Sequence, residues 1–364
     1  MSQAQSTPPS QVPVTVLTGF LGAGKTTLLN RILTEKHGRK YAVVINEFGE
    51  LGIDNDIVVG TDEEIFEMNN GCICCTVRGD LIRVIEGLMK RPGRLDGIIV
   101  ETTGLADPGP VAQTFFQDDD VRARTRLDAI VTVVDARHFL DHVDDGVEAR
   151  QQVAFADIVL LKKTDLVSPA ELATVEVRLR QINPYAKLRR TLKSAVELTD
   201  ILDRHAFDLK RILEIEPEFL ESHDRDHGHD HEHCDDPTHD HSHDHDHGHG
   251  HAHGEGRGHE ASRHLEDIGS VSMTADKPID DAKFQRWIST VLREFGTDIF
   301  RSKGILDIEG ASRRYVFQGV HMVMDNDWGN PWREGETRAS KLVFIGRKLD
   351  AEQLRRGFAA CARR

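Results

Sequence analysis

Residues 19–27 read Gly-Phe-Leu-Gly-Ala-Gly-Lys-Thr-Thr and fit the pattern G-x-x-x-x-G-K-[ST] of a loop that wraps a phosphate chain. A phosphate needs backbone N–H groups aimed at it, and glycines let the backbone curl that closely. The nucleotide-binding candidates of this loop are Gly19, Gly22, Ala23, Gly24, Lys25, Thr26 and Thr27. Lys25 is placed to reach the β- and γ-phosphates, and the Thr26 hydroxyl to ligate Mg²⁺.

Two further segments complete a nucleotide site. Gly-Ile-Ile-Val-Glu-Thr-Thr-Gly (97–104) is an apolar strand that ends in Glu101 and turns at Gly104. An acid at the carboxyl edge of such a strand can hold the Mg²⁺ shell or orient the water that attacks the γ-phosphate. Glu101 therefore joins Lys25 as a catalytic candidate. Leu-Lys-Lys-Thr-Asp (161–165) follows another apolar run and matches the guanine motif N-K-x-D at Lys163 and Asp165. The Asp accepts two N–H groups of guanine, a contact adenine cannot make, while the Lys stem packs along the base. Thr191–Ala195 is a weaker candidate for a second base-side loop.

Metal ligands cluster twice. Gly-Cys-Ile-Cys-Cys (71–75) sets Cys72, Cys74 and Cys75 together, and thiolates at i and i+2 suit a soft or borderline metal. Three local thiols do not close a tetrahedral site by themselves; Glu47, Glu50, a water or a partner's ligand are candidates to complete it, and Glu50 is added to the site. The second cluster lies within residues 221–264, which hold fifteen of the twenty histidines. His227, His229, His231, His233, His239, His241, His243, His245, His247, His249, His251 and His253 alternate there with Asp and Gly, an array of imidazoles that takes Zn²⁺, Ni²⁺, Co²⁺ or Cu²⁺ with little selectivity.

The elements that must position these residues read as an α/β pattern. Apolar, β-branched runs at Pro13–Thr18, Tyr41–Ile45, Gly97–Glu101, Ala129–Asp135 and Asp157–Leu161 predict strands. Helical stretches fall between them at Thr26–Leu33, Gly79–Lys90, Pro108–Phe116 and Pro169–Ile182, the order of a parallel sheet. The histidine tract has no apolar periodicity and is expected to be disordered without a ligand. After it, Asp281–Glu294 reads as a helix with Phe284, Trp287, Ile288, Val291 and Leu292 on one face. Strands are expected at Gly304–Ile308, Tyr315–His321 and Leu342–Ile345, with a closing helix at Ala351–Ala360. His321 ends a strand-like run and is a candidate ligand, although a histidine in such a place is more often a satisfied structural residue. The expected organisation is a flexible tail at 1–11, a nucleotide domain at 12–220, the tract at 221–264 and a small α/β domain at 265–364.

Composition excludes several classes. The chain has 364 residues, 38% of them hydrophobic, and a net charge of −15, most of it in the histidine tract. No basic run suggests nucleic acid, and no run of apolar residues is long enough to span a membrane. The N-terminus lacks the basic-then-apolar order of a signal peptide, and the clustered cysteines read as ligands rather than a disulfide framework. The expected location is cytoplasmic.

Taken together, these blocks resemble the CobW-type GTPases, in particular the zinc-regulated GTPase metalloprotein activators. The resemblance rests on 19–27, Asn46-Glu-Phe-Gly-Glu-Leu-Gly-Ile-Asp54, 71–76, 101–104, 163–165, Val316-Phe-Gln-Gly-Val-His321 and Lys341-Leu-Val-Phe-Ile-Gly-Arg347. It implies a P-loop GTPase domain of the SIMIBI type with a mostly parallel sheet, a small α/β C-terminal domain, GTP and Mg²⁺ as ligands, and slow GTP hydrolysis. It also implies transition-metal binding through Cys74 and Cys75 with Cys72 beside them. The function implied is a metallochaperone that delivers Zn²⁺ to an apo metalloprotein client; a homodimer is a candidate assembly. Rival readings are a Co²⁺ or Ni²⁺ insertase, a metal buffer built on the histidine tract, and a nucleotide-gated regulatory protein. Two positions depart from the family pattern: Lys162 replaces the Asn of the guanine motif, and Ile45 stands where some relatives carry a Glu.

Overall fold

The computed structural model describes residues 11–35, 37–47, 65–69, 75–90, 95–192, 195–207 and 268–363, with backbone alone at 46–47, 65–69, 75–78 and 144–145. The first part alternates strands and helices. β1 (Val12–Thr18) leads through the glycine loop into α1 (Lys25–Thr34). β2 (Tyr41–Glu47), β3 (Ile65–Asn69), α2 (Cys75–Met89) and β4 (Gly97–Glu101) follow. Then come α3 (Gly109–Gln117), α4 (Asp119–Arg124), β5 (Thr125–Asp135), α5 (Phe139–Asp145), α6 (Val147–Phe155) and β6 (Ile158–Lys162). α7 (Pro169–Ile182) and β7 (Lys187–Arg190) close this part.

The seven strands form one parallel sheet in the order β3-β2-β4-β1-β5-β6-β7. Parallel strands covered by helices on both faces are apolar throughout, and β4 and β6 are buried along their whole length. α7 shows how local sequence sets an element. Ser168 and Glu171 form a reciprocal capping box, Pro169 opens the first turn, and the helix stops at Asn183, just before Pro184. No helix among the described residues is long and apolar enough to cross a membrane.

The second sheet is antiparallel, in the order β11-β10-β9-β12-β8. Its strands are β8 (Ile268–Ala275), β9 (Ile299–Leu306), β10 (Arg313–Val320), β11 (Val323–Pro331) and β12 (Ser340–Arg347). The helices α8 (Asp281–Phe295) and α9 (Ala351–Ala359) accompany them. Side chains alternate across a strand, and here both faces are buried. Leu342 and Phe344 of β12 join Phe284, Ile288, Leu354 and Phe358 of the two helices. Val343 and Ile345 of the same strand instead join the core of the first sheet, with Phe155, Phe300 and Val320. The two sheets therefore share one continuous apolar core.

An ion cluster sits inside this shared interface. Asp157, ahead of β6, takes the Ile130 N–H (2.9 Å) on one oxygen and Arg301 Nη2 (2.6 Å) of β9 on the other. Lys303 Nζ lies 3.5 Å from the same carboxylate, and the Arg301 guanidinium stacks 3.7 Å over the Phe207 ring. Gln318 of β10 donates to the Phe207 carbonyl at 2.6 Å. All four charged or amide side chains are buried.

Candidate functional site

The carboxyl ends of β1, β4, β5 and β6 lie along one edge of the parallel sheet, and each carries part of the site. Strand order reverses at β1, with β4 on one side and β5 on the other, the place where open α/β sheets bind ligands. The loop after β1 depends on three glycines with positive φ: Gly19 (143°), Gly22 (70°) and Gly24 (96°). A Cβ on Gly19 would lie 2.3 Å from the Val133 carbonyl oxygen, so no other residue fits there. Gly24 caps α1 in the left-handed conformation and turns the helix N-terminus toward the loop.

Lys25 is buried, and its Nζ donates to the carbonyls of Gly19 (2.8 Å) and Phe20 (3.3 Å). Thr26 is half-buried on the first turn of α1, while Thr27 is exposed. Across the sheet, Glu101 ends β4 buried, in register with Leu17 of β1 and Ile45 of β2. Thr102 ties the two strand ends together: its N–H donates to the Leu17 carbonyl (2.9 Å) and its hydroxyl to Thr18 Oγ1 (2.9 Å). The segment after Glu101 is pinned from α6, where Gln152 Nε2 donates to the carbonyls of Gly104 (3.0 Å) and Ala106 (3.2 Å). A Thr hydroxyl at a helix N-terminus and a strand-end carboxylate are hard oxygen donors of the kind Mg²⁺ takes.

On the other side, Lys163 adopts a left-handed conformation (φ 55°) that turns β6 into the short helical turn Thr164–Leu166. Its Nζ donates to the Gly22 carbonyl (3.2 Å) and to Asp135 Oδ2 (2.6 Å). Asp135 also meets His138 Nδ1 at 2.9 Å. Burial pushes the Asp135 carboxyl up, but His138, Lys163 and the Arg137 N–H together outweigh burial and hold it below the usual carboxylate range. Asp165 lies exposed in the turn beyond, open to a base. Behind the loop, Phe20, Asp135, His138, His142, Gln152 and Val153 line a cavity of about 190 Å³.

The structure thus gathers the loop 19–27, Glu101, Lys163 and Asp165 at one sheet edge. Sequence reading missed Asp135, Thr102 and Gln152. Asp135 had a legible signal, an acid closing the apolar run 129–135; the other two are set only by packing. Cys72, Cys74, Glu50 and the twelve tract histidines from His227 to His253 lie outside the described residues, as does most of 46–60. Cys75 is the first residue of α2, so this helix starts four residues before the expected Gly79. β3 and α2 bracket the cysteine run in sequence, and β3 is two strands from β4. At the spacing of neighbouring strands, the carboxyl end of β3 stands about 10 Å from that of β4.

One further carboxylate cluster is structural. Asp128, Asp203 and His205 approach one another, but Asp128 accepts the N–H groups of Arg204 (2.8 Å) and His205 (2.7 Å) and pairs with Arg126 (3.3 Å). It clamps the loop after β7.

Comparison with known proteins places this arrangement. The model of the CobW/HypB/UreG nucleotide-binding domain matches residues 13–190, and that of the cobalamin synthesis protein CobW C-terminal domain matches 268–362. The chain belongs to the CobW family. It is 33% identical to the zinc chaperone YjiA of Escherichia coli over 96% of this chain and 98% of that protein. It is 34% identical to zinc-regulated GTPase metalloprotein activator 1 of Schizosaccharomyces pombe, over 93% of this chain and 83% of the relative. The crystal structure of Zn(II)-bound YjiA GTPase from E. coli superposes with a TM-score of 0.71 at 29% identity, covering 97% of this chain and all of that one. The CobW pairing of a parallel nucleotide sheet with a second, C-terminal sheet is the architecture described above.

Proposed function

We propose that this CobW-family protein hydrolyses GTP and uses the cycle to hold and release a transition metal, Zn²⁺, for an apo metalloprotein client. The observation that carries the reading is the shared sheet edge. The phosphate loop, Glu101 and the guanine-side turn leave the sheet there, and the strand that leads into the cysteine run ends on the same edge. The zinc names of the full-length relatives favour Zn²⁺ over Co²⁺ or Ni²⁺ as cargo.

In this reading the loop N–H groups and Lys25 bind and orient the phosphates, and Asp165 selects guanine. Thr26 and Glu101 would hold Mg²⁺, which when bound neutralises charge on the β- and γ-phosphates. Glu101 also orients the hydrolytic water. Cys72, Cys74 and Cys75, with Glu50, bind the cargo metal. The segment 46–60 links the two sites in sequence, so loss of the γ-phosphate would loosen the metal ligands. The tract histidines add weak, multiple metal binding.

Metal titration calorimetry on the whole protein tests the reading, with GDP or a non-hydrolysable GTP analogue present. One tight, nucleotide-sensitive equivalent that disappears in the Cys74→Ser/Cys75→Ser variant is the expected result. A tight site that survives this variant and vanishes when 221–264 is deleted would instead support a histidine-based metal buffer.

A further inference from the structure

Lys162 ends β6 at the position where the guanine motif has Asn, and it does work that a side chain with one methylene is too short to do. Its Nζ donates to the Gly24 carbonyl at 2.9 Å. A Cβ on Gly24 would lie 2.5 Å from that nitrogen, so the contact depends on glycine at the cap of α1. The ammonium is buried, and its hydrogen bond goes to a neutral carbonyl. The carboxylate that acts on it electrostatically, Asp135, is already engaged by Lys163 and His138.

Three lysines therefore grip one loop. Lys25 holds the carbonyls of Gly19 and Phe20, Lys163 that of Gly22, and Lys162 that of Gly24. In a trans peptide the N–H points opposite to the C=O. Turning the Gly19, Phe20 and Gly24 carbonyls toward these ammonium groups aims the N–H groups that follow them, those of Phe20, Leu21 and Lys25, away from them, while the Ala23 N–H closes the loop on the Phe20 carbonyl (3.2 Å). An array of that kind binds anions. Burying an ammonium without a carboxylate partner is costly. Burial pushes the Lys162 pKa down to about 8, the adjacent Lys163 charge acts in the same direction, and Asp135 opposes both. A polyphosphate on the loop is the ligand that would relieve this.

We propose that Lys162 is a positioning residue of the phosphate loop, one that tightens binding of the polyphosphate chain and leaves the choice of base to Asp165. The proposal rests on the reading of 19–27 as the phosphate site. It separates two jobs that the motif position alone would merge. If Lys162 served the base, its loss would change discrimination between guanine and adenine nucleotides. If it serves the loop, its loss weakens both equally.

The test is equilibrium binding of GDP and ADP to the full chain, for wild type, Lys162→Met, Lys162→Arg and Lys162→Asn. Lys162→Met is expected to weaken GDP and ADP by the same factor, about tenfold, with Lys162→Arg recovering most of it. Bound phosphate favours the charged ammonium, so wild-type GDP affinity is full below pH 8 and falls as pH rises through it. A fall of about tenfold between pH 7.5 and 9.5 is expected in wild type, and a flatter profile in Lys162→Met. A changed GDP-to-ADP ratio in folded Lys162→Met or Lys162→Asn would overturn the proposal in favour of base reading. Unchanged GDP affinity would reduce Lys162 to a packing role. Should Lys162→Met fail to fold, the wild-type pH series run with ADP, whose base does not titrate in this range as guanine N1–H does, decides alone, and a flat profile overturns the proposal. Lys25→Ala keeps the premise separate: undiminished GDP binding in that variant would refute the phosphate-loop reading itself.

Discussion

Lys25 is held against its own loop with its ammonium on the carbonyls of Gly19 and Phe20, so it is organised before any phosphate arrives. Such preorganised charge acts on the transition state without the cost of reordering. Lys25→Ala is expected to cost several kcal/mol in the barrier to hydrolysis, a loss of about 10³-fold in turnover. Steady-state phosphate release by the purified variant measures this, and near-normal turnover would refute the assignment. Asp165 makes a different prediction. A site that pairs its acceptors with guanine N–H groups rejects adenine strongly, because the mismatch leaves polar groups unpaired. Competition between GTP and ATP should favour GTP in wild type, and Asp165→Ala should lose most of that preference. Equal wild-type affinities would show that Asp165 does not read the base.

Packed elements hold the two sheets together, and charge is buried where they meet. Asp157 compensates Arg301 and Lys303 within the shared core. Removing the carboxylate of a buried ion cluster costs about 3–5 kcal/mol. Asp157→Ala should show a loss of this size by denaturant unfolding, whereas the double variant Asp157→Leu/Arg301→Met should recover part of it. His321 makes a second joint. It sits in the turn between β10 and β11, its ring against Phe155 and Phe300, with Nε2 4.0 Å from Asp107. Asp107 in turn accepts the Gly109 N–H at the start of α3 (2.8 Å). The expectation that His321 is structural agrees with this packing. Burial lowers its pKa, with Asp107 and the backbone at Ile299 and Thr297 raising it and Arg347 lowering it further. The folded chain therefore favours the neutral ring. Stability is full above the ordinary His pKa near 6.5 and is lost as pH falls below it. Thermal unfolding between pH 7 and 5.5 should show a steeper loss in wild type than in His321→Asn, which keeps a residue tolerant of positive φ. Parallel pH profiles would remove His321 as the cause.

For the whole molecule, the central prediction is reciprocity. If GTP tightens metal binding at Cys74 and Cys75, the metal must tighten GTP by the same factor, and a coupling of about 1–3 kcal/mol is the ordinary size. Cys74→Ser/Cys75→Ser should erase the metal effect on GTP affinity while sparing binding without metal. Retention of the full shift would route the coupling through another site and defeat the proposed cycle. Deleting 221–264 should remove the weak equivalents alone.

The phosphate loop, the strand end at Glu101 and the turn at Lys163–Asp165 were legible because local spacing specifies each of them. A curled loop needs glycines at fixed steps, and a buried parallel strand must be apolar. α7 was legible to the residue, since its cap and its stop are both written locally. Other elements carry weak local signals. β7, Lys-Leu-Arg-Arg, has no strand-like apolar alternation and exists because β6 offers an edge to pair with. β11 is largely polar and exposed, an edge strand whose ladder hydrogen bonds go to β10 and whose Asp325 accepts from Arg122 of α4 (3.0 Å). The burial of Asp157 with Arg301, 144 residues apart, depends on two distant segments closing on each other. So does the seat of His321. Lys162 is the clearest case. From sequence it was a flaw in a guanine motif; the tertiary structure puts its ammonium on the Gly24 carbonyl, 138 residues away in the chain, because adjacent loops at one sheet edge meet whatever their separation in sequence.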